Sequence, residues 1–352
     1  MIQRLMVKLL ARDEARARGV SADVMLNAMD RKLERFSSLV RPAPESRPRT
    51  PFDGPNGENM SPARSFKARH MLKMLPDALP LILGMRRSAR MYDREFQPTR
   101  HEASPQFIEE LEAMALAAGA KEIRYVRVPR NAIFRDKGIP HEYAIVFTVE
   151  MEREPMDTAP SFECMHEVAK GYKRLAQVGN KLAKHMHKHG FAAYPGTALG
   201  GVTDYVHLAE IAGLGAIGYH GLLITPGEGA RLRINTIYTN ITNLPLANEQ
   251  ENEHLWVRDF CAMCHRCVRK CPVDAIKDQP EPRGDGGMQC IDHDACRDYF
   301  ADNFGCAVCL SVCPFSRLGY ARVKARFKGN PGAPQFLIPV HALTRRDPDD
   351  GA

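Results

Sequence analysis

The sequence has no apolar run as long as the ~18 residues that a membrane-spanning helix needs. Its nearest candidate, Leu79 to Met85, is short and runs into Arg86 and Arg87. The N-terminal stretch MIQRLMVKLLARDEARARG lacks a continuous apolar segment and a small-residue cleavage site. Neither a secretory signal nor an N-terminal twin-arginine signal is read there, so a cytoplasmic location is expected. Cysteine is nearly missing before position 261, where Cys164 stands alone. No DNA- or RNA-binding motif is found, and no nucleic-acid partner is expected.

What is present is an ordinary globular composition. Hydrophobic residues make up 44% and charged residues 26% of 352 positions, which suits a soluble chain with a large core. The net charge of +7 is uneven: residues 1–100 hold 20 Lys/Arg against 11 Asp/Glu, or +9, which leaves −2 for the rest. Such a basic region suits a solvated helical surface or peripheral contact with a membrane. Residues 1–38 read as helical, with Leu5, Leu9, Val24, Leu26 and Leu33 among charges. Residues 42–62 hold six prolines, which predicts a linker or extended arm rather than a packed element. Helical character returns over 64–95, interrupted at Pro76 and Pro80. Residues 1–105 are therefore set apart as a basic, helical and Pro-rich extension.

From residue 106 strands and helices alternate. Phe107 to Ala118 reads as an amphipathic helix, and Glu122 to Val128 and Tyr143 to Met151 as strands. Cys164 to His189 reads as a helix with Val168, Tyr172, Leu175, Val178, Leu182 and Met186 on one stripe, stopped by Gly190. A helix over Val206 to Ala212 precedes a Gly-rich turn, and Gly221 to Thr225 and Arg231 to Tyr238 read as strands. The fold class is α+β, with an α/β core over 106–250, a cysteine-rich unit over 251–320 and a tail over 321–352.

Nine of the ten cysteines fall between Cys261 and Cys313. Crowding of this kind points to metal, because a cytoplasmic chain keeps its thiols reduced. The first run is Cys261-x2-Cys264-x2-Cys267-x3-Cys271-Pro272. In a two-cluster ferredoxin the first three of these wrap one [4Fe–4S] cluster and the fourth ligates the other. The second run, Cys306-x2-Cys309-x3-Cys313-Pro314, is one cysteine short, and Cys290 or Cys296 upstream completes it. We assign Cys261, Cys264, Cys267 and Cys313 to the first cluster, and Cys271, Cys296, Cys306 and Cys309 to the second. A zinc ribbon uses two separated CxxC pairs, which fits four cysteines in eleven residues poorly. Two such clusters conduct single electrons and need an acceptor beyond themselves.

Gly213-x-Gly215-x-x-Gly218 matches a dinucleotide fingerprint by letters alone. That fold wants a strand before it and an acidic residue about twenty positions on. Here a helix precedes it, and Asn235 and Asn240 follow. The glycines better suit a close approach of backbone to a flat or bulky ligand.

The run Ala209-Glu210-Ile211-Ala212-Gly213-Leu214-Gly215, then Gly218-x-His220-Gly221-Leu222-Leu223-Ile224-Thr225-Pro226, resembles the core signature of reductive dehalogenases and, more distantly, of epoxyqueuosine reductases. Tyr143 to Met151, Ala159-Pro160, Gly171-Tyr172 and Gly190-Phe191-x-Ala193 extend the likeness upstream, so it covers roughly residues 106–318. The resemblance implies a nitroreductase-like core that holds cobalamin in front of two ferredoxin-like clusters. It marks Gly213, Gly215, Gly218, His220, Gly221 and Thr225 as candidates for the corrinoid site. It also marks Tyr172 as the proton donor, with Arg233, or else Arg231, as its basic partner. A phenol of pKa near ~10 is a usable acid, and a nearby cation favours the phenolate left behind.

The sequence departs from the pattern at Tyr219, where both families carry a basic residue, and at Asn240, where an Asp is common. No acidic residue near Tyr172 matches the donor of epoxyqueuosine reductases, which argues against tRNA modification. The expected function is reductive cleavage of a carbon–heteroatom bond, carbon–halogen included, in a small molecule. The expected electron donor is a ferredoxin or flavodoxin. Two alternatives stand beside it: an electron-transfer protein without catalysis, and a tRNA-modifying reductase.

Overall fold

The computed structural model describes residues 22–51, 61–247 and 252–327. Residues 1–21 of the expected helical stretch, Gly54, Pro55 and Gly57, and the tail beyond 327 lie outside the described residues.

A four-stranded antiparallel sheet forms the centre. Its strands are β1 (Glu122–Arg127), β2 (Tyr143–Glu150), β3 (Ala193–Pro195) and β6 (Leu232–Thr239), in the order β1-β2-β6-β3. Two short strands, β4 (Ala216–Ile217) and β5 (Leu223–Ile224), pair as a separate ribbon. Side chains alternate across the pleat, so each strand feeds two cores. On one face Ile145, Phe147, Val149 and Ile237 pack against α3 (Pro105–Ala117) and α4 (Phe162–Lys188). On the other, Val126, Val146 and Tyr238 pack against α5 (Tyr205–Ile211), α1 (Ala22–Leu33) and Tyr92. Burying each large apolar side chain in this way stabilises the fold by about 1.5–3 kcal/mol.

The stripe read on α4 is its buried side: Leu175, Val178, Leu182 and Met186 are fully covered. Ser161 caps the helix by accepting the Cys164 N–H at 3.0 Å, and Gly190 ends it with φ +84°. The three histidines at that end are used internally. His185 and Phe107 stack with ring centroids 5.5 Å apart, and the Ala193 N–H donates to His187 Nε2 at 3.2 Å.

Two expectations about the N-terminal region are corrected. Pro76 and Pro80 do not interrupt the second helix: α2 runs unbroken over Ala68–Arg90. Packing along α4 outweighs the two lost N–H groups, and Gly84 lets the helices close so tightly that a Cβ there would lie 2.9 Å from that of Ala176. The described part of the Pro-rich segment is no free linker either. Val40 bridges to Ile139, and Ser46 is fully buried with its hydroxyl donating to the Arg130 carbonyl at 3.0 Å.

The cysteine-rich unit comprises α6 (Trp256–Cys264), α7 (Arg266–Lys270), the hairpin β7 (Ile276–Pro282) and β8 (Met288–Ile291), α8 (His293–Asp302) and three further short helices to Arg326. It packs on the core through one apolar cluster that includes Met151, Val168, Ala230, Phe260 and Phe315.

Candidate metal centre and active site

The chain wraps tightly around its cysteines. His265, Cys306 and Ala307 adopt left-handed φ of +45°, +44° and +68°. Each costs a non-glycine residue about 1–2 kcal/mol, so the turns are held by what surrounds them. The thiols fall into two groups. Burial first, then the neighbouring thiols of Cys313, Cys267 and Cys264, pushes the Cys261 thiol well up. Burial and then Cys267 and Cys264 push Cys313 up to about 12. In the second group burial and then Cys306 and Cys271 push Cys296 up to about 11. Burial pushes Cys309 well up too, followed by Cys306, Cys267, Cys296 and Cys271. Cys267 lies near members of both sets, Cys264 on one side and Cys271 and Cys309 on the other. Four thiols this close resist ionising together, and a bound metal reverses that preference.

Cys290 belongs to neither group. It is buried, its neighbours are Arg283, Arg258 and Glu210, and the Gly221 backbone hydrogen-bonds to it. Those surroundings set Cys290 apart from Cys296, which has Cys306 and Cys271 beside it.

The glycine-rich block serves this unit. A Cβ on Gly215 would lie 2.1 Å from the Ile224 carbonyl oxygen, and one on Gly218 would lie 2.6 Å from Ile224 Cδ1. At Gly221 (φ +75°) it would meet Cys290 Cβ at 3.3 Å, and at Gly213 (φ +74°) Ala247 Cβ at 3.7 Å. Thr225 pairs with the Gly229 carbonyl, to which its N–H donates at 3.0 Å. Gly215 and Gly218 thus let the chain close on Ile224, and Gly221 on Cys290, which fixes the β4–β5 ribbon. The Tyr219 backbone hydrogen-bonds to the Cys261 sulfur. His220 lines a small pocket with Cys261, Cys264, Cys267 and Cys313. Burial holds its imidazole down at about 4.

Tyr172 and Arg233 meet although 61 positions separate them. Arg233 stands opposite Val149 in the sheet, on the α4 face. Its guanidinium carbon lies 5.0 Å from the centroid of the half-buried Tyr172 ring, within cation–π range. Gly171 makes room, since a Cβ there would approach Arg233 Cγ to 3.1 Å. Arg233 Nε is buried without a hydrogen-bond partner. Arg231 is placed differently. It donates to the carbonyls of Met151 at 2.7 Å and Ser316 at 3.3 Å, and pairs with Glu228. It is a tether between the core and the cysteine-rich unit, not a partner of Tyr172. Cys164 is a buried thiol, pushed up to about 11 by burial and drawn down by Arg233.

A second tether escaped the sequence. Arg283, in the β7–β8 turn, pairs with Asp204 at 3.0 Å and Asp285 at 2.9 Å. Arg47, from the Pro-rich segment, reaches the same two carboxylates at 2.7 and 3.5 Å. Burial pushes the Asp204 carboxyl up, and Arg47 and then Arg283 more than reverse it, so its pKa lies below the usual value. Three distant segments are locked by one network, and no local spacing announces it.

Together these features define an iron–sulfur-type cysteine unit docked on a mixed α/β core. A family model for a 4Fe–4S binding domain matches residues 254–277. The tetrachloroethene reductive dehalogenase of Desulfitobacterium hafniense is 31% identical over 194 residues, covering 51% of this chain and 34% of that protein. Its namesake from Sulfurospirillum multivorans is 33% identical over 185 residues, covering 50% and 36%. An epoxyqueuosine reductase from Cyclobacterium marinum is 32% identical over 117 residues, covering 30% and 34%. Among solved structures, the catabolic reductive dehalogenase NpRdhA superposes with a TM-score of 0.59 at 18% identity, over 76% of this chain and 42% of that one. The chain is thus similar to reductive dehalogenases and epoxyqueuosine reductases, as its motifs indicated. It spans about a third of the length of the curated relatives it matches.

Proposed function

We propose that this chain is a redox enzyme that carries electrons through two [4Fe–4S] clusters to a corrinoid and reductively cleaves a carbon–heteroatom bond. The observation that carries the reading is the Arg233 guanidinium over the Tyr172 ring, on the apolar cluster that joins the core to the cysteine-rich unit. The core is read as nitroreductase-like, in keeping with its reductive dehalogenase neighbours.

The first cluster is assigned to Cys261, Cys264, Cys267 and Cys313, and the second to Cys271, Cys296, Cys306 and Cys309. The two thiol groups fit that assignment. For cobalamin, the fit rests on the unsatisfied Arg233 Nε beside Tyr172, with Gly213, Gly215, Gly218, His220, Gly221 and Thr225 as the candidate contacts. When bound, cobalamin supplies cobalt redox chemistry that no side chain here provides. Tyr172 holds the transferable proton on Oη. Arg233 favours the phenolate left behind. The substrate is a small molecule, with an organic halide as the first to try.

The electron donor is a ferredoxin or flavodoxin. Membrane contact through the N-terminal region draws support from α2, whose exposed side carries Leu72, Leu75, Leu79 and Leu83 beside Arg69, Lys73, Arg87 and Arg90.

The test is anaerobic reconstitution with iron, sulfide and cobalamin, followed by the absorption spectrum. Uptake of all three, with a base-off corrinoid band, is expected. Uptake of iron and sulfide without cobalamin would leave the electron-transfer alternative. Normal queuosine in the tRNA of a deletion strain would remove the tRNA-modifying one.

A further inference from the structure

We propose that His220 donates a hydrogen bond from Nε2 to a sulfur of the first cluster and thereby raises that cluster's reduction potential. The inference deepens the two-cluster reading above and rests on it.

The imidazole is 4% exposed. The Leu222 N–H donates to Nδ1 at 3.2 Å, so Nδ1 is the lone-pair nitrogen and the ring proton sits on Nε2. Nε2 is buried and has no hydrogen-bond partner among the described residues. Leaving such a donor unsatisfied costs about 1–3 kcal/mol, so an acceptor belongs in the space the ring borders. That space is the pocket walled by Cys261, Cys264, Cys267 and Cys313.

The pocket's other polar walls are His265 and Arg266. His265 Nε2 is already bonded to the Asp278 carbonyl at 2.8 Å. Arg266 Nε is also buried without a partner, but it sits within the cysteine loop itself. His220 is the donor brought to the pocket from the core. Its position is built. Gly218 leaves room for the ring, since a Cβ there would come within 3.1 Å of His220 Cε1. The residues on either side hydrogen-bond by their backbones to Cys261 and to Cys290. The whole segment therefore faces sulfur.

Hydrogen bonds to cluster sulfurs stabilise the more negative, reduced state, and are one of the factors that set cluster potentials. No bond is made or broken, and the proton stays on the imidazole. One charge-assisted hydrogen bond of ~1.4 kcal/mol is worth about tenfold in the reduction equilibrium, or about 59 mV for one electron.

The experiment is an EPR-monitored redox titration of the reconstituted chain, with iron and sulfide counted in parallel. His220→Leu should lower the first cluster's midpoint by that tenfold factor and leave the second unchanged. His220→Gln, which keeps a donor, should recover most of the shift. A His220→Leu protein with both clusters and an unmoved first midpoint overturns the proposal. A pulsed-EPR measurement on the unaltered chain covers the case in which the variant loses iron. A hyperfine coupling from labelled histidine nitrogen to the reduced first cluster is expected, and its absence overturns the proposal as well. A reconstituted chain without [4Fe–4S] signals would instead remove the two-cluster reading, and this inference with it.

Discussion

The two cysteine groups share a chemistry and differ in their surroundings. In the first, Cys261, Cys267 and Cys313 are buried, and the group lies against the β4–β5 ribbon and the apolar cluster that also receives Tyr172. In the second, Cys271, Cys296, Cys306 and Cys309 are all partly exposed. The first group is the more buried and the second the more exposed. On the proposed reading electrons enter at the second group and leave from the first toward Tyr172.

The largest expected effect breaks this asymmetry at its acceptor end. Tyr172→Phe should lower turnover by about 10²–10⁴, the usual contribution of a positioned proton donor, while both clusters keep their iron. Arg231→Lys, at the tether, should instead disturb the docking of the two units. A Tyr172→Phe protein with unchanged turnover would make Tyr172 a core aromatic only.

The network that docks the hairpin comes next. Arg283→Ala leaves Asp204 and Asp285 with Arg47 alone and should destabilise the chain by about 3 kcal/mol in chemical denaturation, as expected when one partner of a buried pair is removed. A loss near zero would show that this network does not hold the units together.

A smaller effect separates the protonation of Glu150, at the end of β2, from the clusters. Burial, then a hydrogen bond and repulsion from Glu228, push Glu150 up to about 7. A carboxyl raised in the fold stabilises it fully below its unfolded pKa near ~4.3 and loses that contribution as pH rises through about 7. Glu150→Gln should flatten the stability profile between these values. An unchanged slope in pH-dependent denaturation would locate the proton elsewhere.

The two regions were also unequally legible. The cysteine groups could be read because cluster ligands follow short, fixed spacings, and the α4 stripe because helical periodicity is local. Tyr172 and Arg233 could be paired only by resemblance, since the contact depends on how a helix packs on a strand 61 positions away. The same resemblance left Arg231 open, and the structure occupies it with carbonyls and Glu228. The glycines suggested a ligand, but letters do not say whether the open space is filled by ligand or by protein. Here Ile224 and Cys290 stand against Gly215, Gly218 and Gly221. The prolines of α2 and the Pro-rich segment that carries Arg47 depart from expectation for one reason: tertiary packing overrode a local signal.

One comparison tests the two-group assignment most directly: iron and labile sulfide counts, with EPR spin quantitation, on Cys290→Ala and Cys296→Ser proteins. Each [4Fe–4S] cluster holds four irons. The account predicts about eight irons per chain for Cys290→Ala, as in the unaltered protein, and loss or conversion of the second cluster alone for Cys296→Ser. Full cluster content in Cys296→Ser, with a cluster lost in Cys290→Ala, would contradict it.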